Sequence, residues 1–102
     1  MYRWIRTAKI SNGRFPQAIG WAKEVSGFVQ KKFKTPDIRV YTAAVGEIGT
    51  LVWETDYSDL ATFEKIQAQI LGDSEYWQYI HRAAQEQLFI DGETRDTLLR
   101  QL

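Results

Sequence analysis

The stretch TLVWETDYSDLATFEKIQAQIL, residues 50–71, passes from a strand pattern directly into a helix pattern. Residues 50–56 alternate, with Leu51, Trp53 and Thr55 on one face of a strand and Val52, Glu54 and Asp56 on the other. Ser58 or Asp59 can then cap a helix that Gly72 ends. Its apolar face comprises Leu60, Phe63, Ile66, Ile70 and Leu71. A strand that leads into a capped amphipathic helix predicts a sheet with helices packed against one face.

The flanking sequence predicts further strands and helices on both sides of this stretch. Upstream, Tyr2 to Ile10 alternates as a strand, residues 15–33 follow helical spacing, and residues 38–45 form a strand joined to Thr50–Asp56 by a turn at residues 46–49. Downstream, we expect a helix over residues 74–85 and a fourth strand at Leu88 to Ile90, which Asp91-Gly92 ends. Residues 93–102 fit either an extra helix or an edge strand that embraces another subunit.

This order, β-α-β-β-α-α-β, predicts an α+β domain in which a four-stranded antiparallel sheet carries its helices on one face. The other sheet face has no cover within the chain, so we expect a homodimer in which two sheets pair face to face. Trp21 and Phe28, on a shoulder of the first predicted helix, are interpreted as interface residues that meet another subunit or the tail.

Composition narrows the class of protein and its partners. The 102 residues fit a single domain over positions 1–102, and the 44% hydrophobic and 14% aromatic content suits a chain that buries part of its surface in an interface. Thirteen basic residues balance thirteen acidic ones, so we expect neither nucleic acid nor a membrane as a partner. Without cysteine, and without the apolar core of a signal peptide, the chain is expected in the cytoplasm.

The motif WExDYxDLAxFE, residues 53–64, resembles the strand-to-helix junction of NIPSNAP-like and antibiotic-biosynthesis-monooxygenase-like domains. This resemblance implies the ferredoxin-like fold of the dimeric α/β barrels. It also implies a small-molecule-binding protein, with cofactor-independent monooxygenase or isomerase chemistry on a hydrophobic substrate as one function. The alternative is a ligand-binding or protein-interaction module without activity, and the sequence leaves open whether the protein is an enzyme.

A second segment, SEYWQYIH at residues 74–81, is similar to the one that carries the haem-ligating histidine in the haem-degrading monooxygenases of this superfamily. Those enzymes also use a tryptophan on the preceding helix and an asparagine in the first strand. Here the comparable regions offer Leu71 and either Arg6 or Thr7. We therefore expect no haem and no other cofactor.

Candidate site residues are few. His81, the only histidine, is the candidate proton carrier because its ordinary pKa lies near neutrality, and the alternative is a boundary histidine bonded to backbone or solvent. A ligand pocket is predicted from Trp53, Trp77, Tyr41 and Gln67, whereas core packing and dimer contacts are the alternative for the aromatic residues.

The carboxylates of Glu54 and Asp56, on one face of a strand, have two interpretations. They could act as a base and its partner, or they could form salt bridges with Arg3, Arg6 or Arg39 across the sheet. No metal site is expected, because one histidine without a second ligand at metal-binding spacing cannot complete a coordination sphere.

Overall fold

The computed structural model describes residues 1–102, in which four strands and three helices follow one another in the predicted order. The elements are β1 (Tyr2–Lys9), α1 (Phe15–Phe33), β2 (Ile38–Thr42), β3 (Thr50–Tyr57), α2 (Leu60–Leu71), α3 (Ser74–Gln85) and β4 (Arg95–Arg100). None of the helices has the length and apolar content needed to cross a membrane.

The four strands form one antiparallel sheet in the order β2-β3-β1-β4, and the helices lie on one of its faces. This is the predicted α+β, ferredoxin-like fold. The alternation of β3 is as expected, because Leu51, Trp53, Thr55 and Tyr57 are buried while the residues between them are partly exposed. We call the helix-covered side the inner face and the opposite side the outer face.

The hydrophobic core lies between the inner face and the helices, and α1 supplies five of its eleven buried members. Trp21 is one of them, with 8% of its surface exposed, and its indole nitrogen donates a 2.9 Å hydrogen bond to the carbonyl of Tyr79. The interpretation of Trp21 as an interface residue is therefore wrong. Because α3 packs against α1, this shoulder of α1 is already covered within the chain.

The fourth strand is not where the sequence predicts it. Residues 88–90 form only an isolated bridge, in which Phe89 pairs with Ile10, and Leu88 is buried as a core side chain beyond the end of α3. The fourth strand is instead β4, which pairs with β1 from Tyr2↔Arg100 to Thr7↔Arg95. Residues 88–90 and β4 run along the same edge of the sheet, on the β1 side, and the turn at Gly92 separates them. The tail is therefore an edge strand of the chain's own sheet.

The outer face is uncovered and carries a charged network on its three consecutive strands β2, β3 and β1. Arg3 donates to Asp56 at 2.8 and 3.1 Å, and Arg39 donates to Glu54 at 2.8 Å and to Asp56 at 3.3 Å. The guanidinium of Arg3 holds the pKa of Asp56 below its usual range. The two carboxylates thus adopt the salt-bridge arrangement, with Arg3 and Arg39 but not with Arg6 as partners.

Candidate functional site

A cavity of about 260 Å³ lies between the inner face of the sheet and the three helices. Thirteen of its nineteen wall residues are hydrophobic. Aromatic side chains make up much of the wall: Trp4, Trp21, Trp53, Tyr57, Tyr76 and Phe89. Concave, largely apolar spaces with a few polar groups are the usual form of small-molecule sites in proteins.

Two periodicities direct side chains into this cavity. Alternation along the strands places every second residue of β1 and β3 on its floor, namely Trp4, Arg6 and Ala8 together with Trp53, Thr55 and Tyr57. Helical spacing places a stripe of each helix on its roof, such as Tyr76, Ile80 and Ala83 of α3. The cavity therefore forms where a strand face and three helix stripes meet.

Trp53 is held rigidly in the middle of the floor. Its indole nitrogen donates a 3.0 Å hydrogen bond to the hydroxyl oxygen of Ser26 on α1, and its ring packs edge-on against Trp21 with 6.3 Å between ring centroids. Only 6% of Trp53 is exposed. This arrangement satisfies the indole donor and leaves the aromatic surface of Trp53 as a fixed part of the wall.

Arg6 is the only charged residue of the wall, and β4 balances its charge. Its Nε and Nη2 donate to the two carboxylate oxygens of Asp96 at 2.7 and 2.8 Å. This hydrogen bonding raises the pKa of Arg6, against the opposing effect of burial, and it lowers the pKa of Asp96. Trp4 stacks beside the pair, with its ring centroid 5.4 Å from the guanidinium carbon of Arg6.

Two polar atoms of the floor are buried without a hydrogen-bond partner, the indole nitrogen of Trp4 and the hydroxyl oxygen of Thr55. Trp4 and Thr55 lie directly opposite each other in the β1–β3 register. The Trp4 indole contributes slightly to the low pKa of Asp96, but it does not reach hydrogen-bond geometry with that carboxylate. Buried polar groups in native proteins are usually satisfied by protein atoms, ordered water or a bound group, so Trp4 and Thr55 mark a place where a water or a ligand atom can bind.

The structure separates the site residues that the sequence suggests. Trp53 and Gln67 line the cavity. Tyr41, which is 47% exposed, belongs to β2 and alternates with the inward-facing Val40, so it lies on the outer face. Trp77 is 42% exposed on the flank of α3, where its indole nitrogen donates to the carbonyl of Leu71 and caps the end of α2.

His81 is exposed and is not part of the cavity wall. It follows Trp77 by one turn on the same flank of α3, whereas Tyr76, Ile80 and Ala83 face inward. The only imidazole of the chain therefore cannot reach a ligand in this cavity as the protein stands, and the arrangement does not fit haem ligation there.

Sequence reasoning overlooked Arg6 and Thr55 in the polar part of the floor, which also includes Trp4. One signal was present, because Arg6 falls between Trp4 and Ala8 on the otherwise apolar face of an alternating strand. A charge at such a position needs a partner, here Asp96, which lies ninety residues away in sequence. The pairing of Trp4 with Thr55 depends on the strand register and has no local signal.

Known proteins match the whole length of this fold. The NIPSNAP family model matches residues 2–100. A solved protein from Agrobacterium tumefaciens has a TM-score of 0.80 at 16% identity, covering 100% of this chain and 94% of its own. An uncharacterised NIPSNAP domain protein from Burkholderia xenovorans has a TM-score of 0.80 at 14% identity, covering 100% of this chain and 95% of its own.

The fold is also shared with a putative antibiotic biosynthesis monooxygenase from Nitrosomonas europaea, with a TM-score of 0.73 at 10% identity, covering 100% of this chain and 99% of that one. Among curated proteins, none matches the chain. The structural likenesses, at such low identity, concern the fold alone. The family model covers nearly every residue, and on that ground the chain belongs to the NIPSNAP family.

Proposed function

We propose that this protein binds a small, largely apolar molecule in the cavity between its sheet and its helices. The observation that carries the proposal is the 260 Å³ cavity with its aromatic wall. An apolar cavity of about 150 Å³ holds benzene, and drug-sized ligands occupy pockets from about 300 Å³ upward. A ligand between these sizes, such as a fused or substituted ring, fits the volume.

Binding is a better supported function than turnover. Cofactor-independent monooxygenase or isomerase chemistry would need a group that moves a proton near neutral pH beside the bound molecule. The proton carrier suggested by the sequence, His81, lies outside the wall, and burial raises the pKa of the wall residue Tyr57 above its ordinary value, which is already far from neutrality. The wall thus supports recognition of a ligand more directly than proton transfer.

The proposal includes a homodimer in which the outer faces of two sheets meet. That face carries the exposed ring of Tyr41 and the half-buried side chains of Ile5 and Val52, and no element of the chain covers them. Its Arg3, Arg39, Glu54 and Asp56 form one network of balanced charge, so this network adds no net repulsion between two copies. A second copy of the chain is the occupant that suits an uncovered face whose Arg3, Arg39, Glu54 and Asp56 are paired with one another.

Ligand binding is tested by titrating ¹⁵N-labelled protein with indane and with 1-indanone, and by native mass spectrometry of the freshly purified protein. We expect saturable shifts confined to the wall residues. Ala83→Leu fills the cavity from α3 and should abolish the shifts, whereas Ala84→Leu, on the exposed side of the same helix, should preserve them. Dispersed spectra verify that both variants fold. Absence of saturable shifts with both probes would overturn the proposal.

The dimer is tested by sedimentation velocity. Val52→Lys places an unpaired charge at the centre of the outer face and should give monomers, because a buried charge without a partner is costly. Gln69→Lys adds the same charge on the exposed side of α2 and should leave the mass unchanged. A monomeric wild-type protein at micromolar concentration, or dimers in both variants, would contradict this arrangement.

A further inference from the structure

The four tryptophans of the chain differ in one respect that bears on the ligand. Three indole nitrogens donate hydrogen bonds: Trp21 to the carbonyl of Tyr79, Trp53 to the hydroxyl of Ser26, and Trp77 to the carbonyl of Leu71. The fourth, that of Trp4, is buried and lies near the carboxylate of Asp96 without reaching hydrogen-bond geometry with it. An indole N–H can only donate, so its missing partner must be an acceptor.

The groups around Trp4 on the cavity floor are also donors. The hydroxyl of Thr55, directly across the β1–β3 register, is unpaired in a residue that is 1% exposed. Arg6 uses Nε and Nη2 on Asp96, which leaves the hydrogens of Nη1 free of that pair. The hydroxyl oxygen of Ser26 accepts from Trp53, so its own hydrogen remains available to donate. Several groups of the floor can thus donate, and the neighbouring carboxylate of Asp96 already accepts two hydrogen bonds from Arg6.

Building on the proposed function, we infer that the ligand carries a neutral acceptor oxygen, such as the carbonyl of a ketone or an ester, and that this oxygen faces Trp4 and Thr55. A neutral oxygen is favoured over a carboxylate because Arg6 and Asp96 already form a pair without net charge. A second carboxylate would lie close to that of Asp96 and would be repelled by it. The apolar remainder of the ligand would contact Trp53 and the helix stripes.

The experiment compares three probes built on the same fused ring: indane, 1-indanone and indane-1-carboxylate. The readout is the tryptophan indole N–H region of the ¹H–¹⁵N spectrum, in which Trp4→Phe identifies the Trp4 resonance. We expect 1-indanone to move this resonance downfield, as formation of a hydrogen bond does, and indane to leave it nearly in place. Tighter binding of the carboxylate than of 1-indanone would overturn the choice of a neutral oxygen.

Two variants separate hydrogen bonding from shape. Thr55→Val and Trp4→Phe each remove a donor and keep an apolar side chain, so each should weaken 1-indanone relative to indane by roughly 3- to 10-fold. An unchanged ratio of the two dissociation constants in both variants would overturn the inference while leaving the binding proposal intact. Failure of indane and of 1-indanone to bind the wild-type protein would overturn both.

Discussion

The indole nitrogen of Trp53 donates a 3.0 Å hydrogen bond to the hydroxyl of Ser26, which joins the middle of β3 to α1 beside the cavity. Both residues are buried, so neither group can exchange its partner for bulk water. Ser26→Ala should destabilise the protein by about 1–3 kcal/mol, the cost of leaving a buried donor without an acceptor. Urea unfolding followed by circular dichroism measures this difference.

Thr55→Val is the matched control, because it also removes a buried hydroxyl, but one without a partner. Deleting an unsatisfied polar group relieves its desolvation cost, so the free energy of unfolding should stay unchanged or rise. A loss of stability equal to that of Ser26→Ala would show that Thr55 has a hydrogen-bond partner in the free protein.

Acid should weaken the attachment of β4 to β1. Arg6 lowers the pKa of Asp96 in the folded protein below its unfolded value of about 4. A carboxylate with a depressed folded pKa stabilises the protein above the unfolded pKa, and this contribution is lost as the pH falls through the folded pKa. Urea unfolding between pH 7 and pH 3 should therefore show declining stability below about pH 4.

Asp96→Asn isolates that contribution, since an amide does not titrate in this range. At pH 7 the variant should be less stable than the wild type, because Arg6 loses a charged partner while it lies partly buried. The difference between the two proteins should shrink as the pH falls through 4. A difference that is independent of pH would assign the effect to shape instead of charge.

Local patterns were sufficient to predict most of the fold. The alternation of β3 correctly separated the buried Trp53 from the outward-facing Glu54. Of the two predicted capping residues, Ser58 and Asp59, it is Asp59 that caps α2, with its carboxylate accepting from the backbone nitrogen of Thr62 at 2.7 Å. The prediction of the fourth strand failed because the apolar residues at positions 88–90 reflect the burial of Leu88 in the core, not strand pairing. The true strand, Arg95–Arg100, pairs well while remaining exposed along its length.

The candidate site was harder to predict because it depends on pairing between distant residues. A helical wheel places Trp77 and His81 beside the apolar stripe of α3, but packing against α1 selects Tyr76, Ile80 and Ala83 as the inward stripe. A difference of one residue, about 100° around a helix, is enough to move a side chain from the cavity to solvent. To predict that Arg6 faces the cavity, one would need both the alternation of β1 and the position of its partner, Asp96, in β4.

Trp77 and His81 should therefore be dispensable for binding. Trp77→Phe and His81→Ala are each expected to leave the dissociation constant of indane within about twofold of wild type, since neither side chain lines the cavity. Trp77→Phe should cost some stability, because it removes the hydrogen bond to the carbonyl of Leu71. Calorimetric titration with indane measures the first effect and thermal unfolding the second. A tenfold loss of affinity in either variant would place that residue at the site after all.

The charge network of the outer face should set the strength of the proposed dimer. Asp56 lies between Arg3, at 2.8 Å, and Arg39, at 3.3 Å, so Asp56→Ala leaves an excess of positive charge on that face. In a two-fold dimer this positive charge faces the same charge on the other subunit, and like charges opposed across an interface are strongly unfavourable. The dimer dissociation constant, measured by analytical ultracentrifugation, should rise by roughly tenfold or more.

The control variant is Glu64→Ala, which changes the net charge equally from the exposed side of α2 and should have little effect on the dimer dissociation constant. Equal weakening by both variants would mean that net charge, and not the outer face, governs association.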